Sequence, residues 1–204
     1  MTAQAPKLQV PDGQALSSVQ ALFARRDPYA PHQETSMLFA RAMREACLWH
    51  REHCSFYSRW LSLHDFHPES IETEADCLSI PPVHANFFKH HEVKSVPDSS
   101  IATVLTSSGT TGQRSQMFFD SWTLGSAQQV VDDVFEQFGW HEPSTPTNYL
   151  LFTYEPEELS RLGTAYTDVF LTKYAPAQRV FFALRQTTPG RHDFDLFGTI
   201  RTLE

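Results

Sequence analysis

An α/β fold is predicted for this 204-residue chain: an N-terminal helical region followed by a mixed sheet with flanking helices. Three observations carry that expectation. From about Thr35 to Leu63 apolar residues recur at steps of three and four, the period of one helix face. Beyond residue 100 short apolar runs alternate with amphipathic stretches, the order expected of strands layered with helices. The 41% of hydrophobic residues and 16 phenylalanines are enough to build a core.

Residues 1–34 open on a polar stretch holding Pro6 and Pro11 and read as a loose arm. The first helix, Thr35 to Leu63 with Thr35 or Ser36 as its cap, places Phe39, Ala42, Ala46, Trp49, His53, Phe56 and Trp60 on one face. Residues 64–100 are irregular, interrupted by Pro68, Pro81, Pro82 and Pro97, with a short helix around Ala85 to His91. Together 35–100 form a helical and irregular N-terminal region.

The α/β portion is 101–204. Strands are expected at 101–105 and 115–119. A helix follows from Trp122 to Phe138, capped by Ser121, with Leu124, Ala127, Val131, Val134, Phe135 and Phe138 as its apolar face. Then come a strand at 148–154, a helix at 163–174, a strand at 178–185, and a capped helix opening at Asp193 with Leu196, Phe197, Ile200 and Leu203 in register. No Gly, Asn or Pro closes that last helix before Glu204, so this portion is expected to be incomplete and the chain the N-terminal part of something longer.

A net charge of −8 with no basic run argues against a nucleic-acid or anionic-membrane surface, which recruits clustered Lys and Arg. Cys47, Cys54 and Cys77 are sparse and odd in number, as reduced thiols of a cytoplasmic protein are. Neither a signal segment nor an apolar run of membrane-spanning length is present.

The chemistry-bearing stretch is TSSGTTGQRSQ, Thr106 to Gln116. Thr106, Ser107, Ser108, Thr110 and Thr111 offer hydroxyls, and Gly109 and Gly112 let backbone amides approach an anion with no Cβ between. Arg114 adds a permanent cation whose planar fork suits phosphate oxygens. A plain Ser/Thr/Gly turn joining two strands is the simpler alternative, but it needs far fewer donors. A Walker loop is excluded by the short Gly109 to Gly112 spacing, by the missing lysine and by the strand expected next; a dinucleotide fingerprint is absent.

The run Ser107-Ser108-Gly109-Thr110-Thr111-Gly112 resembles the phosphate-binding loop of the adenylate-forming enzymes, the superfamily of acyl-CoA ligases and firefly luciferase. Its continuation Gln113-Arg114-Ser115-Gln116 is closer to one branch, the acyl-protein synthetase of the bacterial bioluminescence fatty-acid reductase. His53-Cys54-Ser55-Phe56-Tyr57, and Ile80-Pro81 with Phe88-Lys89, resemble segments that precede the loop in that synthetase. The resemblance implies that the α/β portion is part of an adenylate-forming large domain. It implies ATP and Mg²⁺, a carboxylic and most simply a fatty acid as substrate, a thiol of a protein, carrier or CoA as acceptor, and an acyl reductase as partner. Thr106, Ser107, Ser108, Gly109, Thr110, Thr111 and Gly112 would cradle phosphates, with Arg114 standing where that synthetase has a lysine.

The adenine, ribose and C-terminal lysine motifs of the superfamily have no match in the 92 residues after Gly112, nor has the acyl-carrying cysteine of the synthetase. A truncated or degenerate relative that binds a nucleotide or a partner without catalysis is therefore the alternative. Four further groups have two readings each. Cys47, His50, His53 and Cys54 suggest zinc, but on one helix only Cys47, His50 and Cys54 share a face, and packing is favoured, with His53 and Cys54 in the core stripe. Cys77 is either an acyl acceptor or an inert thiol, and the histidines at 64, 67, 84, 90 and 91 are either solvated, the simpler reading, or pH-sensing or ligand groups. Gly163 to Thr172 either contributes nucleotide or acyl contacts or is an ordinary helix start.

Overall fold

The computed structural model describes residues 8–107, 114–155, 162–188 and 191–204. Its contacts divide the chain into two units, one of residues 1–104 with 117–134 and one of 105–116 with 135–204. Both strands and helices are present, as expected of an α/β protein. Among the described residues no helix is long and apolar enough to cross a membrane.

The first unit is mostly helical. Helix α1 (Ser17–Phe23) lies within the segment expected to be an arm, and it is anchored: Val10, Leu16 and Val19 are buried with Ala42 of helix α2 (His32–His53). Helix α2 starts earlier than expected, after Pro31 rather than at a Thr35 or Ser36 cap. The single helix expected to Leu63 is two, because Cys54 adopts an extended conformation (φ −129°, ψ 105°) and α3 (Ser55–Leu63) begins after it. The apolar spacing carries on across the break, which hides it from a periodicity argument. Two faces of α2 are buried rather than one. Ala42 joins the α1 cluster, while Ala40 and Cys47 pack with Ile71 and the half-buried Tyr57, Phe66 and Ile80.

Beyond a short helix α4 (Phe87–His90), strands β1 (Ile101–Thr106) and β2 (Gln116–Asp120) pair as a two-stranded sheet. Helix α5 (Ser121–Gln137) follows at once. Its cap is Asp120, whose carboxylate accepts the Thr123 N–H at 2.7 Å, in place of the expected Ser121. The buried positions of α5 include Ser126 and Asp133, whereas Phe138, just past its end, is exposed. Asp133 can be buried because Arg26 Nε and Gln129 Nε2 donate to it at 2.6 and 3.1 Å.

The second unit holds a three-stranded mixed sheet in the order β3 (Thr147–Tyr154), β4 (Ala177–Thr188), β5 (Arg191–Phe194). Strands β3 and β4 are parallel, Leu150 opposite Phe181, and helix α6 (Gly163–Leu171) lies in the crossover a parallel pair requires. Strand β5 runs antiparallel to β4, with Asp193 opposite Arg185. The helix expected from Asp193 therefore starts later. It is α7 (Leu196–Leu203), capped by Asp195, whose carboxylate accepts the Gly198 N–H at 2.7 Å. Its inward residues are Gly198 and Thr199, and the expected apolar face is exposed, Phe197 at 77% and Leu203 at 72%.

Candidate functional site

Strands β1 and β2 flank the hydroxyl-rich stretch, so its two ends are held by regular structure. At the neck the Ser107 N–H donates to the Ser115 carbonyl at 3.1 Å, and the Ser115 N–H donates to Ser107 Oγ at 3.0 Å. This reciprocal pair commits the Ser107 hydroxyl oxygen as an acceptor and still leaves its O–H as a donor. Thr106 and Ser107 are half-buried and Arg114 is exposed. Ser108, Gly109, Thr110, Thr111 and Gly112 lie outside the described residues, and so does Gln113.

The stretch from Gly163, read either as a source of nucleotide or acyl contacts or as an ordinary helix start, begins beside Thr106. Thr106 forms a parallel bridge with Leu162, the residue that precedes α6. Leu162 is buried and has no side-chain group to cap the helix, so the first amides of α6 lack a side-chain partner at that position. A helix start carries partial positive charge, which favours an anion beside it. The Thr167 hydroxyl instead donates back to the Gly163 carbonyl at 2.9 Å. No signal in the sequence announces the Thr106 to Leu162 bridge, because it joins positions 56 residues apart through one backbone pairing.

The zinc reading is not supported. Among the described residues no three His, Cys, Asp or Glu side chains are grouped to hold a metal ion. Cys47 and Cys54 are buried free thiols, and Tyr57 donates its hydroxyl to Cys47 Sγ at 3.4 Å. Burial pushes the Cys47 thiol up, and burial and the hydrogen bond to Cys47 raise the Tyr57 phenol as well. His53 departs from the expected core stripe: it is exposed, stacked on Trp49 with ring centroids 3.6 Å apart. His50 pairs through Nδ1 with Ser95 Oγ at 2.7 Å.

Cys77 is half-buried, and burial first, then Cys47 and the carboxylates of Asp76 and Glu74, raise its pKa. That environment keeps it protonated at neutral pH, the opposite of an activated acyl acceptor. The histidines at 64, 67, 84 and 90 are exposed, His64 tied by Nδ1 to the Trp60 carbonyl at 2.9 Å. His91 is exposed too and stacks on Phe87.

A family model described as acyl-protein synthetase, LuxE, matches residues 9–144. The matched span takes in α1 to α5, both flanking strands and the whole of the 106–116 stretch. No curated protein matches the chain.

Proposed function

Because the chain belongs to the LuxE acyl-protein synthetase family, we propose that it serves ATP-dependent activation of a carboxylic, most simply fatty, acid and passage of the acyl group to a thiol. In the first step a carboxylate oxygen attacks the α-phosphorus of ATP, the bond to the β-phosphate oxygen breaks, and acyl adenylate and pyrophosphate result. In the second, a thiolate of a protein, a carrier or CoA attacks the acyl carbon and AMP leaves. An acyl reductase fits as the consumer of the product. The 101–204 portion would then be part of an adenylate-forming large domain.

The observation that carries this reading is the hydroxyl-rich stretch tied at Ser107 and Ser115 between two strands, within the matched span. Negative charge grows on the departing pyrophosphate, so fixed hydroxyl and amide donors with one guanidinium are the groups that lower the barrier. Thr106, Ser107, Ser108, Gly109, Thr110, Thr111 and Gly112 supply the donors and Arg114 the cation. The start of α6 beside Thr106, where Leu162 supplies no side-chain cap, adds a favourable field. Mg²⁺ fits here as an ion carried mainly on phosphate oxygens, a mode it commonly adopts.

ATP–pyrophosphate exchange tests the proposal, run on the longest reading frame containing this chain with a panel of fatty and aryl acids. Exchange that depends on one class of acid is the expected result. Folded protein that exchanges with none of them would leave the non-catalytic binding reading in its place.

A further inference from the structure

The first unit carries a second feature, whose lining includes none of residues 106–116: a half-open cavity of about 500 Å³, within the usual size of small-molecule sites. Its wall is apolar and largely aromatic, built from Val19 of α1, Trp49 of α2, Phe56 of α3, Phe88, Phe118 of β2 and Trp122 of α5. Elements spread over more than 100 residues thus converge on empty apolar space.

A few polar groups of different kinds interrupt the apolar lining. Lys94 is the lysine of the wall, and it is already paired with Glu92 and Asp98. Asp120 adds a buried carboxylate, held as the cap of α5. A ligand carboxylate would meet this negative surplus with no uncommitted lysine or arginine among the described lining residues to receive it. His50 and Ser95 offer something else. If Ser95 donates to Nδ1, the Nε2–H of the imidazole is left over; if Nδ1–H donates to Ser95, the hydroxyl hydrogen is left over. Either tautomer leaves one neutral donor, the partner a carbonyl oxygen needs.

We propose that this cavity takes the hydrocarbon chain of an acyl thioester, with the thioester carbonyl oxygen accepting a hydrogen bond from the His50–Ser95 pair. The ligand class rests on the acyl-transfer reading above; the location and the preference for an uncharged head rest on the cavity and its charges. The cavity is thus a place for the acyl group after or before its transfer, distinct in composition from the phosphate-binding stretch.

The test is a titration of the full chain with N-acetylcysteamine thioesters and free acids of increasing chain length, followed by the fluorescence of Trp49 and Trp122, both of which line the cavity. Affinity is expected to rise about fourfold per methylene and then to level off once the cavity is full. A thioester is expected to bind more tightly than the free acid of equal length. Ala46→Phe fills the cavity from α2 and Val96→Phe from the opposite sequence region, and either should weaken binding about tenfold or more; thermal unfolding shows whether each variant is folded. If both unfold, the chain-length series on the unaltered protein decides. Absent saturable binding, affinity that climbs without levelling, or folded variants that bind like the parent would overturn the proposal. Tighter binding of the free acid would overturn the neutral-head assignment. Loss of pyrophosphate exchange with thioester binding intact would refute only the activation reading, and the converse would refute only the cavity.

Discussion

Glu45, in the middle of α2, caps a different helix: its Oε2 accepts the Ser18 and Val19 N–H groups at 2.7 and 3.1 Å. The Ser17 hydroxyl donates to Oε1 at 3.2 Å. Helix α1 has only seven residues, and Leu16 at its N-cap position cannot accept a hydrogen bond through its side chain. Helices this short are not stable on their own, so the borrowed carboxylate and the burial of Val19 hold it in place. Glu45→Ala removes the acceptor and leaves two amides without it. The expected cost is about 1–2 kcal/mol, read from urea unfolding. A stability equal to that of the parent would show that α1 does not depend on this cap.

The same pair explains what the sequence conceals. A cap is sought next to its helix, and this one comes from 27 residues away. The strands around the hydroxyl-rich stretch were legible, because 101–105 and 115–119 combine β-forming apolar residues with polar borders, and the fold has strands there to within one residue. The neck between Ser107 and Ser115 follows from the pairing of those two strands. The bridge from Thr106 to Leu162 does not, since a backbone pairing leaves no mark on side-chain choice. Likewise the His50–Ser95 pair joins a helix to an irregular segment, and neither residue differs in pattern from its neighbours. Helix α7 was legible in type and misread in face: Gly198 is what lets it approach the sheet, and a glycine does not register as apolar periodicity.

Gly198 therefore makes a direct prediction. A Cβ there would sit 2.4 Å from Phe181 Cζ and 2.3 Å from Asp195 Oδ2. Phe181 is buried on β4, so its ring has little freedom to withdraw, and Asp195 is the α7 cap. Gly198→Ala is expected to destabilise the protein by about 1–3 kcal/mol. Phe181→Leu in the same background should return part of the loss, and strictly additive effects of the two changes would exclude the clash with Phe181 as its cause.

His50 supplies a pH prediction. Desolvation, aided by the nearby His53, holds its pKa below the ordinary histidine value even though the residue as a whole is exposed. Above a pH of about 6.5 the ring is neutral in both folded and unfolded chains and contributes no pH dependence. As pH falls through that value the unfolded chain takes up a proton that the folded one still refuses, so stability drops until the folded pKa is reached. His50→Gln abolishes this difference. Urea unfolding of parent and variant between pH 7.5 and 5.5, a range of about two units around the free histidine value, should show a shallower fall for the variant. Equal slopes would mean that His50 is as easily protonated in the fold as out of it.

Arg114 tests the phosphate assignment most directly. It is exposed and follows the stretch that carries the hydroxyls, on the β2 side of the neck made by Ser107 and Ser115. An exposed guanidinium contributes little to folding, so Arg114→Ala should leave the unfolding midpoint unchanged. If the side chain pairs with the β- and γ-phosphates of ATP, its loss removes a charge-assisted contact and should weaken ATP binding by about 1–3 kcal/mol. Arg114→Lys keeps the charge and gives up the planar fork, so it should fall between the two. Calorimetric titration of ATP and of AMP separates the effects: AMP lacks the phosphates in question and should bind the parent and Arg114→Ala alike. Equal loss for both nucleotides would place Arg114 elsewhere on the nucleotide, and no loss for either would remove it from the site.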